Sequence, residues 1–403
     1  MNFEPTPRPG QTRFDPLLLL ALFGLMMVGV AFIYSASMAN ESTNTLPWFR
    51  QNHFKQIIWY TLGAAIAAAL CLVDYHTLAR WAIVAYWITI LLLIAVLIPF
   101  IGKKIFGARR WIDLGFFQLQ PSEFAKLSFI FVQAHFLSRP MDELRLPGNF
   151  FKALGLTALP FLLIMKEPDL GSALVLLPVG LVMFYAAGTP RRYLLQLVGG
   201  VGLLIALLLV DILFAPENLR IPLEPYQRHR LLVFFGRDFA PKNASLQERQ
   251  TARELQRDKS YNVEQALISV GSGGLTGKGW RQGTQNALGF LPRAVAHNDF
   301  IFSVIAEEKG FVGSLMVITL YSVVLFTGIK IAGEARDRLG KLLAVGVVTL
   351  LFSHVFINIG MNIRLMPVTG VPLPLLSYGG SSVLCSLIAI GVLQNVYMYR
   401  RSY

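Results

Sequence analysis

The feature that most constrains this chain is a series of apolar runs, each near the length of about 20 residues that an α-helix needs to cross a bilayer. They fall at roughly 16–38, 56–73, 80–100, 121–138, 150–165, 169–187, 191–214, 310–331, 341–362 and 377–399. A soluble fold has no use for ten such runs, and the composition agrees. Charged residues make up 15% of the chain and hydrophobic residues 54%, against about 25% charged in an average soluble domain. Too little charge is left to cover a soluble surface, and the apolar content excludes disorder. The expected fold is an all-α polytopic integral membrane protein. It is a single domain, 1–403, with about ten transmembrane helices, a large extracytoplasmic loop at 215–298 and a re-entrant segment near the C-terminus. The first run is longer than the roughly 7–15 residues of a signal-peptide core, so it reads as a retained anchor.

Orientation follows from Lys and Arg in the short loops. With the N-terminus inside, Arg8, Arg13, Arg80, Arg139, Arg145, Lys152, Arg191, Arg192, Lys330, Arg336, Arg338, Lys341, Arg400 and Arg401 are cytoplasmic, fourteen in all. Arg50, Lys55, Lys103, Lys104, Arg109, Arg110, Lys166 and Arg364 are external, eight in all. The bias predicts both termini in the cytoplasm. The cluster at 103–110 goes against it, and positive charge kept on the outer side suggests a job such as binding an anion. The segment 215–298 carries twelve Lys+Arg and seven Asp+Glu, so it lies outside the bilayer. Within it, 244–259 is polar on every side and predicts a solvated helix, and Tyr261–Ser269 is apolar enough to lie on the membrane surface. The net charge of +13 is largely what cytoplasmic loops require, and it implies no nucleic-acid partner. Cys71 and Cys385 sit inside apolar runs and offer neither a disulfide framework nor a zinc site.

Five clusters carry candidate chemistry. In GARRWIDLGFFQLQPSEFAK, Arg109 and Arg110 adjoin Trp111, and Gln120, Pro121, Ser122 and Glu123 open a helix. Glu123 and Lys126 share a helix face, so they must face protein or a water-filled cavity. A helix cap plus a fold-locking ion pair is the alternative to substrate binding. In EPDLGS, Asp169 suits a helix N-cap, with Lys166 and Glu167 on the same outer face. GSGGLTGKGW fails the phosphate-loop spacing at Ser272 and Gly279, leaving a tight turn that carries Lys278 near an anionic headgroup. In LPRAVAHNDFIFSVIAEEKG, His297 and Asp299 precede a short approach helix, 299–309, before the spanning run begins at Gly310. Asp299 is either an N-cap or a carboxylate held at the water–membrane boundary, where a general base belongs. In NIGMNIRLMPVTGVPLPLLSYGGSS, prolines and glycines interrupt apolar sequence, and non-helical backbone at that depth must be buried in protein or line a cavity.

These motifs, in this order, resemble the SEDS proteins (shape, elongation, division and sporulation), and the resemblance covers nearly all ten runs. The GVPLP form and the short N-terminus resemble the elongation branch, RodA-like, rather than the division branch. The resemblance implies a peptidoglycan glycosyltransferase in the bacterial plasma (inner) membrane. Such an enzyme polymerises lipid II, an undecaprenyl-diphosphate-linked disaccharide peptide, on the outer face. It also implies Asp299 as catalytic base, although Asn298 stands where the family usually has Thr. Arg110 and Trp111 match the family's Arg-Trp pair, Glu123 and Lys126 its cavity pair, and Glu167 stands where Gln is common. Lipid diphosphate is a good leaving group, so the demanding step is activation of the acceptor 4-hydroxyl, with inversion at the anomeric carbon. Arg109, Arg110, Lys126 and Lys278 are candidate holders of the diphosphate. Trp111, Gln120, Ser122, Glu123 and His297 complete the substrate-binding set.

No dedicated metal site is visible. A divalent cation, Mg or Mn, can accompany the diphosphate, and no organic cofactor is implied. The implied partners are membrane lipids and a class B penicillin-binding protein, whose single helix would dock near 340–362 and the re-entrant segment. Two other classes compete: a flippase that moves the lipid-linked precursor without bond chemistry, and a non-catalytic scaffold for wall synthesis. The flippase too would want an amphipathic cavity with Glu123 and Lys126, but it would not specifically need Asp299 on the outer surface.

Overall fold

The computed structural model describes residues 14–38, 47–105, 108–115, 117–215, 225–239, 245–292 and 295–400. Arg8, Arg13, Gly107 and Arg401, which the sequence reading used, lie outside the described residues. The helices are α1 Pro16–Met38, α2 Asn52–Cys71, α3 Tyr75–Arg80, α4 Ala82–Leu97, α5 Pro121–Leu137, α6 Met141–Leu144, α7 Pro147–Lys166, α8 Leu170–Ala186, α9 Arg191–Phe214, α10 Pro225–Phe234, α11 Leu246–Ser272, α12 Thr284–Ala287, α13 Ile301–Glu334, α14 Arg338–Asn362 and α15 Gly380–Tyr399. A small antiparallel sheet, β1 Gly102–Ile105, β2 Ala108–Asp113 and β3 Gln118–Leu119, sits between α4 and α5. The molecule is a multi-pass membrane protein.

Every expected span coincides with a helix. Among the described residues, seven are long and apolar enough to cross a bilayer: α1, α2, α7, α9, α13, α14 and α15. The apolar helices α4 and α8 are shorter, and α5 buries polar side chains, including Glu123, Lys126 and Gln133, among its apolar ones. The core runs along α15 against α2, α14 against α13, and α14 against α8 and α5. Helix α14, expected to offer an outer face to a partner, is largely enclosed; Phe352 and Phe356 are among its exposed side chains. Prolines at the first turns of α5 and α7 set their starts without losing a hydrogen bond. Pro160 inside α7 leaves the Leu156 carbonyl without its helical N–H partner. The Tyr86 hydroxyl of α4 donates to it at 3.0 Å, so the break becomes a tie between helices.

The predicted boundary at Gly310 is a kink inside α13, where φ is 63°. The glycine-rich turn 271–280 lies across it. Phe311 N–H donates to Gly274 O and Val312 N–H to Leu275 O, while Glu307 O and Glu308 O accept from the N–H groups of Lys278 and Gly279, all at 2.9–3.1 Å. The kink would otherwise strand these groups. The approach is so close that a Cβ on Gly277 would lie 2.3 Å from Glu308 O. The surface segment expected at 261–269 is instead continuous with the polar helix before it. Helix α11 starts at a Ser245–Glu248 capping box, and its Val263, Ala266 and Ser269 are buried, with α11 packed on α13. A three-residue spacing of small or apolar side chains on a helix buries against protein as readily as against lipid.

Two ends of the bundle are distinct. At one, Arg338 donates to the carbonyls of Leu137, Arg139 and Ala187, Tyr75 and His76 bind Asp337, and Arg400 pairs with Glu334 at 3.5 Å. The other end holds the sheet, 166–169, α10, the 295–300 turn and the non-helical segment 363–379. This separation matches the two loop sets drawn from the sequence.

Segment 363–379 starts exposed at 363–365 and is buried at Thr369, Val371 and 373–377, and carbonyls of its buried part are served by side chains. Asn358 Nδ2 donates to Val371 O at 2.7 Å, Tyr321 to Pro374 O at 2.5 Å, Gln56 to Ser377 O at 3.1 Å, and Tyr60 to Leu375 O.

Candidate active site

A cavity of about 1370 Å³ opens at the second end. Its walls come from α2, β2, β3 and Gln120, α10, α11, the 295–300 turn and the 364–382 stretch. Lys55, Arg110, Arg230, Lys259 and Arg364 line it on the basic side, and Asp113, Asp258 and Asp299 on the acidic side. Trp111, Tyr261 and Tyr378 add aromatic surface. Cations outnumber carboxylates, and apolar wall adjoins both. Such a surface suits a ligand with an anionic head, sugar faces and a lipid tail.

Asp299 is fixed through its backbone, which leaves its carboxylate available. Its carbonyl accepts from Asn358 Nδ2 at 3.0 Å and Asn362 Nδ2 at 3.1 Å. Ser377 Oγ donates to Asn298 O at 2.5 Å, and Tyr378 N–H to His297 O at 2.9 Å. These bonds clamp the turn between α14 and the non-helical segment. Helix α13 begins at Ile301 with Phe300 as its N-cap, without a side-chain cap bond. The N-cap reading of Asp299 therefore falls. Burial pushes its carboxyl up to about 6; the charges of Arg230 and Arg110 oppose the rise, and Asp169 adds to it.

The two predicted arginines separate. Arg110 lines the cavity with Trp111 and is anchored by the carbonyls of Glu167, at 3.2 Å, and Pro168, with Asp169 Oδ1 3.8 Å away. Arg109 is not among the lining residues. Gln120 Nε2 and Ser122 Oγ donate to Asp169 Oδ2 at 3.2 and 3.3 Å, and Asp169 Oδ1 also caps α8 through Ser172 N–H. Gln120 reaches the cavity, while Ser122 is fully buried behind it. Glu167 is fully buried with both carboxylate oxygens unpartnered, and burial raises its carboxyl to about 9.

Three expectations need correction. Glu123 and Lys126 pair at 2.7 Å but face protein, with side chains 3% and 1% exposed. Lys126 Nζ also meets His354 Nε2 at 2.8 Å, while His354 Nδ1 faces Pro372 O at 3.2 Å. Lys126 donates there, so the ring carries its proton on Nδ1 and ties α5 to α14 and the re-entrant segment. Lys278 does not reach the cavity. Its ammonium pairs with buried Glu307 at 2.7 Å and donates to Thr284 at 2.6 Å. His297 is not among the lining residues. Burial lowers it to about 4, so it is neutral at pH 7 and supplies no positive charge.

Sequence reasoning missed Arg230, whose Nη1 donates to Thr369 O at 3.2 Å, along with Lys259 and Tyr261. Nothing local in the sequence marks them, because only the packing of α10 and α11 on the bundle brings them to Asp299. Among the described residues no group of three or more His, Cys, Asp or Glu stands together as a metal cage. No step is routed through a metal ion.

A polytopic helical bundle with an aspartate in the wall of a cavity rich in basic and aromatic side chains defines the class: a multi-pass membrane protein with a polar cavity at one end of its bundle. The chain belongs to the cell cycle protein family of FtsW, RodA and SpoVE, whose model matches residues 16–402. This is the SEDS family that its motifs resemble. It is 32% identical to the peptidoglycan glycosyltransferase RodA of Treponema pallidum, covering 96% of this chain and 98% of that protein. It is 33% identical to the peptidoglycan glycosyltransferase MrdB of Escherichia coli K12, covering 97% and 95%, and 34% identical to the stage V sporulation protein E of Bacillus subtilis, covering 97% and 99%. Among solved structures, a chain of a peptidoglycan synthase complex that coordinates polymerization and crosslinking matches with a TM-score of 0.74 at 28% identity, over 97% of this chain and 99% of that one. The rod shape determining protein RodA of Thermus thermophilus matches with a TM-score of 0.64 at 28% identity, over 97% and 99%.

Proposed function

We propose that the protein is an inverting peptidoglycan glycosyltransferase that polymerises lipid II, with Asp299 as its general base. The observation that carries the reading is the Asp299 carboxylate, backbone-clamped at the wall of a cavity whose other charges are mainly basic. Asp299 takes the proton of the acceptor 4-hydroxyl. That oxygen forms a bond to the anomeric carbon of the donor from the face opposite the diphosphate. The bond to the diphosphate oxygen breaks, its electron pair leaves with the lipid diphosphate, and the centre inverts. A carboxyl held near 6 is mostly ionised at pH 7 and a stronger base than an ordinary aspartate. Arg110, Arg230 and Lys259 face the site of the departing charge and stabilise it. A divalent cation that arrives with the diphosphate would add to them as part of the substrate. Support for a carrier reading came from Glu123 and Lys126 facing a cavity, and a sealed pair withdraws it.

The cavity end faces outward in this reading, both termini are cytoplasmic, and the role is elongation, on the charge bias and the GVPLP form. A class B penicillin-binding protein is the partner, since bare strands need crosslinking; on α14 the outward strip at Phe352 and Phe356 is left for its helix. The native cysteines are both buried, so one cysteine introduced at Ser245 reports orientation cleanly, whereas position 243 lies outside the described residues. An impermeant maleimide is expected to label it in intact cells, and labelling only after permeabilisation reverses the orientation.

The central test is a glycan-strand assay on purified protein with lipid II. Asp299→Asn is expected to lower the rate by about two orders of magnitude or more with lipid II binding retained. The wild-type rate is expected to fall as pH drops through about 6, where burial places the Asp299 carboxyl. A near-normal rate for Asp299→Asn would place the base elsewhere.

A further inference from the structure

A second cavity, of about 540 Å³, lies at the opposite end of the bundle, between α3, α4, α5 and α7. Its floor is apolar, built from Tyr86, Trp87, Phe136 and Leu159, and its mouth carries Arg80, Arg139 and Lys152. Arg139 stacks 4.5 Å above Phe136 and lies 3.8 Å from exposed Glu143, and Arg80 donates to Thr77. Three permanent cations thus stand against one nearby carboxylate. The groove is open beside α7, because a Cβ added to Gly155 would meet no heavy atom within 4 Å. Trp87 is half exposed, an amphipathic ring of the kind that settles at the level of lipid headgroups.

We propose that this cleft is a binding site for an anionic phospholipid, its phosphate held at Arg80, Arg139 and Lys152 and one acyl chain laid along Trp87, Phe136 and Leu159. The combination selects the ligand. A free phosphate would leave the apolar floor in water, and a zwitterionic lipid would gain little from three cations. Basic pockets between spanning helices recognise anionic headgroups in this way. The site uses none of the residues around Asp299 and stands without the catalytic reading; only its assignment to the inner leaflet rests on the proposed orientation.

The test is native mass spectrometry of the full chain in detergent with added phosphatidylglycerol or phosphatidylcholine of the same acyl chains. Retained phosphatidylglycerol is expected to exceed phosphatidylcholine by at least about tenfold, since each basic residue near an anionic headgroup contributes severalfold. Gly155→Phe, which fills the groove and keeps every charge, is expected to abolish the preference. Arg80→Gln with Arg139→Gln and Lys152→Gln, which keeps the groove, is expected to abolish it too. Melting temperature checks that each variant is folded, and the charge variant stands as the test if the phenylalanine is not tolerated. Equal retention of the two lipids by the wild type overturns the proposal. So does undiminished preference in the folded charge variant, or displacement of phosphatidylglycerol by excess inorganic phosphate.

Discussion

Two polar clusters meet the same non-helical segment and differ in what surrounds them. Around Asp299, the 295–300 turn, α10 and β2 leave a cavity, and the acid is held by its backbone with its carboxylate uncommitted. Around Glu123, Lys126 and His354, α5 and α14 close completely, and each charge or ring nitrogen has its partner. Both are ionisable groups in an apolar protein. In the first, burial is offset in part by cations that also line the cavity. In the second, the charges offset only one another. An ion pair sealed in this way holds helices in register, and one left open has energy to give to a substrate.

The largest expected break of that contrast is in the sealed cluster. Lys126→Met leaves Glu123 buried without its counter-charge, which costs about 3–5 kcal/mol when one partner of a buried pair is removed. The melting temperature should fall accordingly, and adding Glu123→Gln should recover much of the loss. A single Lys126→Met as stable as the wild type would mean that the pair is not sealed.

A smaller effect separates the cavity cations from the basic residue that sequence placed beside them. Arg230→Ala is expected to raise KM for lipid II by about tenfold, the size of a lost charge-assisted hydrogen bond, with the fold intact. Lys278→Ala should leave KM unchanged and lower the melting temperature, because its ammonium is engaged with Glu307. Equal KM effects from both would undo the distinction.

The smallest effect concerns Glu167, buried without a partner beside Arg110. Its folded carboxyl sits near 9 against an ordinary 4.5. Between those values the unfolded chain releases a proton that the folded chain keeps, so the burden on stability grows as pH rises through this window. Glu167→Gln is therefore expected to raise the melting temperature by roughly a few degrees at about pH 8 and hardly at all near pH 4.5. A gain equal at both pH values would refute a buried neutral acid.

What could be read in the residues was whatever is local or imposed by the solvent. The ten apolar runs coincide with helices in the expected order, and among the described residues seven of these are long and apolar enough to cross a bilayer. Gly310 marked a helix break, and it carries the positive φ of the kink in α13. Prolines and glycines at 363–379 marked buried irregular backbone, and Asp299 stood out as an acid where apolar sequence resumes. The apolar stretch at 261–269 buries Val263, Ala266 and Ser269 against protein and leaves Tyr261, Leu267 and Ile268 exposed, a division the sequence leaves open because a face that buries against protein and one that buries against lipid have the same periodicity.

The partner of each charge was decided only in three dimensions. Lys126 and His354 are 228 residues apart in the chain and 2.8 Å apart in the fold, and Arg230 reaches Thr369 across 139 residues. The sequence determined which segments form apolar helices and where apolar sequence resumes after an acid, because hydrophobicity acts residue by residue. Tertiary structure alone decided that Lys126 and Lys278 are engaged away from the cavity while Arg110, Arg230 and Lys259 line it, because the field at a charged group depends on distances that chain position does not set.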